Sequence, residues 1–211
     1  MTKVVVLISG RGSNMEALLT AGLPVEFAAV ISNKAEAKGL QIARELGIHT
    51  AVVEHKGYPS REAYDAKLAE VIDSHGADLV CLAGFMRILS EGFVQRYAGR
   101  MINVHPSLLP AFTGLDTHAR ALAAGVKLHG CTVHFVTPQL DAGPIIVQAA
   151  VPVLDGDSAD SLGARVLDQE HRIYPLAVRW IAEGRIALTA DGRTHLQGGS
   201  PQAAALISPQ G

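Results

Sequence analysis

Val4-Val5-Val6-Leu7-Ile8-Ser9-Gly10-Arg11-Gly12-Ser13-Asn14 decides the fold, because five uninterrupted apolar residues, four of them β-branched, run directly into a glycine-rich turn. A strand that is apolar on both faces belongs inside a parallel sheet covered by helices on either side. A helix is expected from about Ser13, a second buried strand over 27–31, a helix over 35–46 closed by Gly47, and a short third strand over 51–53. Between 60 and 75, Tyr64, Leu68, Val71 and Ile72 recur at i, i+4, i+7 and i+8, one face of a helix. Residues 78–83 then read as another buried strand. This alternation, with right-handed crossovers, predicts a doubly wound, mostly parallel α/β sheet whose ligands bind at the carboxyl ends of its strands.

Past Gly84 the pattern changes. It predicts a short helix from Ser90, a strand over 101–104, a Pro/Gly-rich loop over 106–114 and a small helix through His118 to residue 124. Strands over 131–136 and 145–153 follow, then a helix over 158–183 with Pro175 as a kink, and a hairpin turning at Asp191-Gly192. The tail beyond Gly198 has few apolar anchors and reads as flexible. No internal repeat or linker interrupts the chain.

Composition narrows the functional classes. The chain has 211 residues, 48% hydrophobic and 18% charged, which suits a folded globular protein. Lys plus Arg total 18 against 20 for Asp plus Glu, a net charge of −2 with no long run of either sign. That balance argues against electrostatically driven nucleic-acid binding. Cys81 and Cys131 lack metal-ligand spacing, which fits a reducing compartment. No apolar run approaches the roughly 18 residues of a membrane span, and 4–8 is too short for a signal-peptide core, so a soluble cytoplasmic protein is expected.

At Ser9-Gly10-Arg11-Gly12-Ser13-Asn14, backbone N–H groups and the positive end of a helix dipole converge, the makings of an anion site. A dinucleotide fingerprint needs a glycine where Met15 stands and an acidic residue where strand two ends in Ser32-Asn33-Lys34. The loop therefore reads as a site for a phosphate monoester. Its other reading is a capping box between Ser13 and Glu16 that satisfies the same N–H groups internally.

Asn103 and His105 are two residues apart, so a strand presents both on one face, and Pro106 holds His105 extended. Asp141, in Leu140-Asp141-Ala142-Gly143-Pro144, offers a carboxylate at the end of another strand. A carboxylate beside an imidazole orients it as a proton donor or acceptor, with Asn103 as an oxyanion donor. Alternatively, His105 simply bonds a neighbouring loop and Asp141 is an ordinary turn residue. No Gly-x-Ser-x-Gly elbow surrounds Ser107, and His105, His118, His129 and His134 lack zinc-site spacing. His118 and His134 read as plain loop and strand histidines.

These motifs, with Ala83-Gly84-Phe85-Met86-Arg87-Ile88-Leu89, Asn103-Val104-His105-Pro106-Ser107-Leu108-Leu109-Pro110, Gln169-Glu170-His171 and Tyr174-Pro175, together resemble the folate-dependent phosphoribosylglycinamide formyltransferases, over about 4–188. Arg11 stands where some members carry Asn. The resemblance implies one formyltransferase domain over 1–188, with a Rossmann-like phosphate-binding half over about 1–100 and a folate and catalytic half over about 101–188. Residues 189–211 would form the terminal hairpin and flexible tail.

The resemblance also implies transfer of a formyl group from 10-formyltetrahydrofolate, as co-substrate and without a metal, to the amine of glycinamide ribonucleotide. Gly12, Ser13 and Asn14 would hold the phosphate, and Glu170 would recognise the glycinamide end. Arg61, Met86, Arg87, Ile88 and Leu89 would bind the folate, with Asn103 and Asp141 also touching it. Asn103, His105 and Asp141 would be catalytic. No nucleic-acid or membrane partner is implied, and the protein would be a monomer or homodimer.

The residues themselves leave some of this open. Glu170 falls on the inward stripe of its helix, where a buried salt bridge is the alternative. Residues 86–89 also read as core packing, and Arg61 as a solvated surface arginine. Rival functions are a formyltetrahydrofolate hydrolase, a methionyl-tRNA formyltransferase, for which the short polar tail leaves no basic domain, and a non-catalytic phospho-ligand binding protein.

Overall fold

The computed structural model describes residues 1–200 and 205–209. Residues 201–204 and 210–211 of the tail expected to be flexible lie outside the described residues. The chain forms two compact units, the first comprising Met1–Asn103 with Phe135–Gln139, the second Val104–His134 with the chain from Leu140 onward.

In the first unit β1 (Thr2–Ile8) pairs in parallel with β2 (Val25–Ser32) on one side and β4 (Leu79–Leu82) on the other. Val4 to Ile8 are all 0% exposed, as a strand covered on both faces requires. β3 (Thr50–Val52) extends the sheet beyond β2, and β5 (Met101–His105) pairs in parallel with β4. The intervening helices are α1 (Ser13–Thr20), α2 (Lys38–Glu45), α3 (Arg61–Ser74) and α4 (Glu91–Arg96). Tyr64, Leu68 and Ile72 of α3 are buried in the core with Leu7 and Ile31, the helical face that their spacing predicts. Ser60 caps α3 by accepting the Ala63 N–H, and Ser90 caps α4 by accepting the Phe93 N–H.

The second unit holds α5 (Thr117–Ala124), the antiparallel pair β6 (Leu128–Phe135) and β7 (Ile145–Pro152), and α6 (Ala159–Ala182). α6 opens on a capping box between Ser158 and Ser161, and just before it Asp157 receives a bidentate ion pair from Arg165 at 2.8 and 2.9 Å. α6 continues through Pro175, whose missing N–H denies the His171 carbonyl its i+4 donor. β8 (Ile186–Leu188) and β9 (Thr194–Leu196) form the terminal hairpin, and Thr194 Oγ1 bonds the Ile145 carbonyl of β7. Seven strands make one mostly parallel sheet in the order β3-β2-β1-β4-β5-β6-β7, the doubly wound α/β architecture that the sequence pattern predicts.

One local expectation and one alternative reading change. The helix expected over 35–46 begins at Lys38, because 34–37 make a turn closed by the Ala37 N–H on the Lys34 carbonyl. The alternative reading of the glycine loop, a capping box between Ser13 and Glu16, is not realised. Gly12 occupies the N-cap in left-handed conformation (φ 78°), no side chain caps α1, and the Glu16 N–H closes the first turn on the Gly12 carbonyl at 2.8 Å.

Gly12 is required twice over. Its φ disfavours a side chain, and a Cβ there would stand 2.8 Å from the Cα of Gly39 in α2. The Gly39 N–H also bonds the Gly10 carbonyl at 3.1 Å, so the start of α2 is fastened directly to the glycine loop. Gly12→Ala is expected to cost about 2 kcal/mol or more from left-handed strain plus backbone overlap. Urea unfolding should show a lowered midpoint with unchanged slope, and an unchanged midpoint would refute the close-packing argument.

Candidate active site

The carboxyl end of β5 carries Asn103 and His105, two residues apart on one face of the strand. Asn103 is half-buried and His105 is 6% exposed. His105 Nε2 lies 3.0 Å from the Phe112 carbonyl, and Nδ1 lies 3.6 Å from Asp141 Oδ2, an ion-pair distance rather than a direct hydrogen bond. A ring protonated at both nitrogens thus has an acceptor at each end. The same Asp141 oxygen accepts the Gly114 N–H at 2.8 Å, and Oδ1 lies 4.0 Å from His134 Nε2.

Asp141 is therefore no ordinary turn residue: its carboxylate is buried between two imidazoles. Two further members of this cluster, His134 beside Asp141 and Phe112 beside His105, escaped sequence reasoning. His134 lies two residues beyond Thr132 on β6, both buried, so the strand carries a polar pair at i, i+2 like that of β5, a readable signal. A register shift between Val133 and His134 lies at this point of β6. Phe112, the other member, contributes only its carbonyl and leaves no trace in the sequence. Phe112 (φ 54°) and Asp141 (φ 50°) both adopt left-handed backbone, strain of the kind that accumulates where a structure must aim a group.

The loop after His105 is fastened from behind. Thr132 Oγ1 donates to the Ser107 carbonyl at 2.7 Å and accepts the Leu109 N–H at 3.0 Å. Gln148, the cross-strand partner of Thr132, donates to the Leu109 carbonyl and to Thr132 Oγ1, both at 2.9 Å. Below the loop, His118 Nδ1 and His129 Nε2 are 3.2 Å apart, and the His129 ring meets Phe112 edge-on at 5.8 Å. Burial, aided by the charge of His118, pushes His129 down to about 4, so the ring is neutral at physiological pH. Among the described residues no three His, Cys, Asp or Glu side chains converge as metal ligands.

Glu170 is buried on the inward face of α6 between Val166 and Ile173. Its charge adds to burial in pushing the Cys131 thiol of β6 up to about 12. Cys81 of β4 is buried as well.

In the first unit the glycine loop presents Gly12, Ser13 and Asn14 at the start of the uncapped α1. Residues 83–90 form an irregular segment between β4 and α4, bending at 83, 84 and 87, with Gly84 in left-handed conformation (φ 74°). Met86 and Ile88 are 70% and 68% exposed, so the core-packing reading fails for both, while Leu89 does pack against the core. The Arg87 guanidinium lies 4.6 Å above the Tyr64 ring. Arg61 is about half exposed beside Glu62, a solvated position.

A family model described as formyl transferase matches residues 2–178. The chain belongs to the formyl transferase family. This formyl transferase is 53% identical over 189 residues to phosphoribosylglycinamide formyltransferase of Escherichia coli (strain K12), covering 88% of this chain and 89% of that protein. Its fold matches glycinamide ribonucleotide transformylase 1 from Symbiobacterium toebii with a TM-score of 0.90 and 48% identity over 93% and 94% of the two chains. It matches phosphoribosylglycinamide formyltransferase from Anaplasma phagocytophilum with a TM-score of 0.89 and 50% identity over 95% and 96%. No helix of the described formyl transferase residues is long and apolar enough to cross a membrane.

The neutral His129 gives this formyl transferase a pH signature. Its folded-state value lies below the 6.5 of the unfolded chain, so the unfolded state binds more protons between the two. Stability should fall as pH drops from about 7 toward 4, with about 2 kcal/mol belonging to this ring. Urea unfolding across that range should show a flatter pH dependence in His129→Gln, and an unchanged slope would reject a neutral buried ring.

Proposed function

We propose that the chain transfers the formyl group of 10-formyltetrahydrofolate to the amine of glycinamide ribonucleotide, giving N-formylglycinamide ribonucleotide in de novo purine biosynthesis. The observation that carries the mechanism is the buried His105 ring, with Asp141 at one nitrogen and a carbonyl acceptor at the other.

In this reading Gly12, Ser13 and Asn14 hold the nucleotide phosphate with backbone N–H groups and the helix dipole, and Glu170 takes the glycinamide end. The 86–89 backbone reads the pterin edge, the exposed Met86 and Ile88 cover its ring, and Arg61 meets the acidic folate tail. Asn103 and Asp141 contact the formyl-bearing part of the co-substrate. A single domain over 1–188 does the work, with phosphate and folate recognition in the first unit and His105, Asp141 and Glu170 in the second.

The amine nitrogen attacks the formyl carbon, forming the new C–N bond and a tetrahedral oxyanion. Asn103 and protonated His105 stabilise that oxyanion, which takes the place of the Phe112 carbonyl at Nε2. Asp141 keeps the ring oriented and supports passage of a proton from the attacking amine to the leaving N10, after which the C–N10 bond breaks. No acyl-enzyme is formed. The partners are these two small molecules, without nucleic acid or membrane, and the protein works in the cytoplasm as a monomer or homodimer.

An absorbance assay for deformylation of 10-formyltetrahydrofolate, run with and without glycinamide ribonucleotide, tests the assignment. Turnover is expected only with the nucleotide, whereas equal turnover without it would make the protein a hydrolase. His105→Ala should lower turnover by about 100- to 1000-fold or more while nucleotide binding persists. Near-normal turnover in that variant would remove His105 from the mechanism.

A further inference from the structure

Ser9 and Asn33 take no part in the mechanism above, yet they are 5% and 3% exposed, and together they join the two ligand-binding segments of the first unit. Ser9 Oγ donates to Asn33 Oδ1 at 2.6 Å and accepts the backbone N–H of Met86 at 2.8 Å. Its one proton and one of its lone pairs are both committed. The result is a directed chain from Met86 N–H through the Ser9 hydroxyl to the Asn33 carbonyl oxygen, each bond polarising the next.

The register explains why these three residues meet. Ile8 pairs with Ser32 and Leu7 with Leu82, so Ser9, Asn33 and the segment after Leu82 leave the sheet at one edge. Ser9 opens the glycine loop, and its successor Gly10 is fastened to α2 through Gly39. Asn33 has a second tie through its own carbonyl, 3.3 Å from His55 Nδ1. Met86 opens the irregular stretch whose side chains at 86 and 88 stand in solvent, so its N–H bond to Ser9 is a direct restraint on that backbone.

We propose that Ser9 and Asn33 are positioning residues that couple the two segments, so that a phosphorylated ligand at the glycine loop and a folate along 86–89 tighten each other's binding. This rests on the ligand assignments made under the proposed function. Neither residue touches a reacting atom. Ordering either segment through the shared hydroxyl reduces what the second ligand must order, and by linkage the effect is reciprocal.

The test is calorimetric titration of glycinamide ribonucleotide into the full-length protein, alone and saturated with tetrahydrofolate, which has no formyl group to transfer. In the wild type the folate should tighten nucleotide binding about 5-fold or more. In Ser9→Ala that ratio should fall to about 1, and in Ser9→Thr, which keeps the hydroxyl, it should return. Asn33→Ala should also abolish it, and serves if Ser9→Ala does not fold. A merely structural role would lower thermal stability and leave the ratio intact. The Met86 amide of the unliganded protein should exchange with solvent faster in Ser9→Ala than in the wild type. A ratio preserved in a folded Ser9→Ala or Asn33→Ala, or a wild type that binds both ligands independently, overturns the coupling and leaves formyl transfer standing. A wild type that binds neither ligand overturns both.

Discussion

Burial of β1 on both faces is the constraint from which the first unit is built. Because Val4 to Ile8 have no exposed surface, the strand must find a parallel neighbour on each edge and helices above and below. Parallel pairing then sends three chain segments out at the same end of the sheet, at Ile8, Ser32 and Leu82. The glycine loop, the buried Asn33 and the segment 86–89, with its exposed Met86 and Ile88, are neighbours for that reason. The order of strands thus decides which segments meet, and side chains supply the contacts between them.

The second unit solves a different problem, that of holding an imidazole still without its donating a direct hydrogen bond to the neighbouring carboxylate. His105 is held by a carbonyl on one side and lies 3.6 Å from the Asp141 carboxylate on the other, and both partners sit in left-handed backbone. Aspartate tolerates that conformation, but phenylalanine does so at a cost that the surroundings must cover. Thr132 and Gln148, pinning the loop at Ser107 and Leu109, and the packing of His129 against Phe112 are the contacts that do so. The placing of the His105 ring thereby depends on Thr132, Gln148 and His129 as well as on its two direct neighbours.

The fold was largely legible because its signals are periodic: continuous apolar runs for β1, β2 and β4, and the 3.6-residue spacing of Tyr64, Leu68 and Ile72. Asn103 and His105 could be singled out because strand alternation puts them on one face at the end of β5, and Asp141 because of its turn sequence, in the loop between β6 and β7. What escaped depends on backbone placement without a local code. Ala35, Glu36 and Ala37 are good helix formers, yet they form a turn and an extended residue ahead of α2, whose Gly39 lies against Gly12. Nothing in Ala111-Phe112-Thr113-Gly114 announces a left-handed phenylalanine. Met86 and Ile88 look the same in sequence whether they fill a core or face solvent, and only exposure tells the two apart. His134 was legible in principle, since Thr132 and His134 repeat the polar alternation of β5.

The two cysteines, unremarked by the chemistry, settle a practical property of the molecule. Both are buried, and the thiol of Cys131 is held protonated far above neutral pH by burial and by the charge of Glu170. The thiolate is the species that alkylating reagents and peroxides attack, so the native protein offers them little to react with. A cysteine introduced on its surface becomes the preferred target for a maleimide label. The chain can therefore carry a single fluorophore or spin probe with its own thiols left in place.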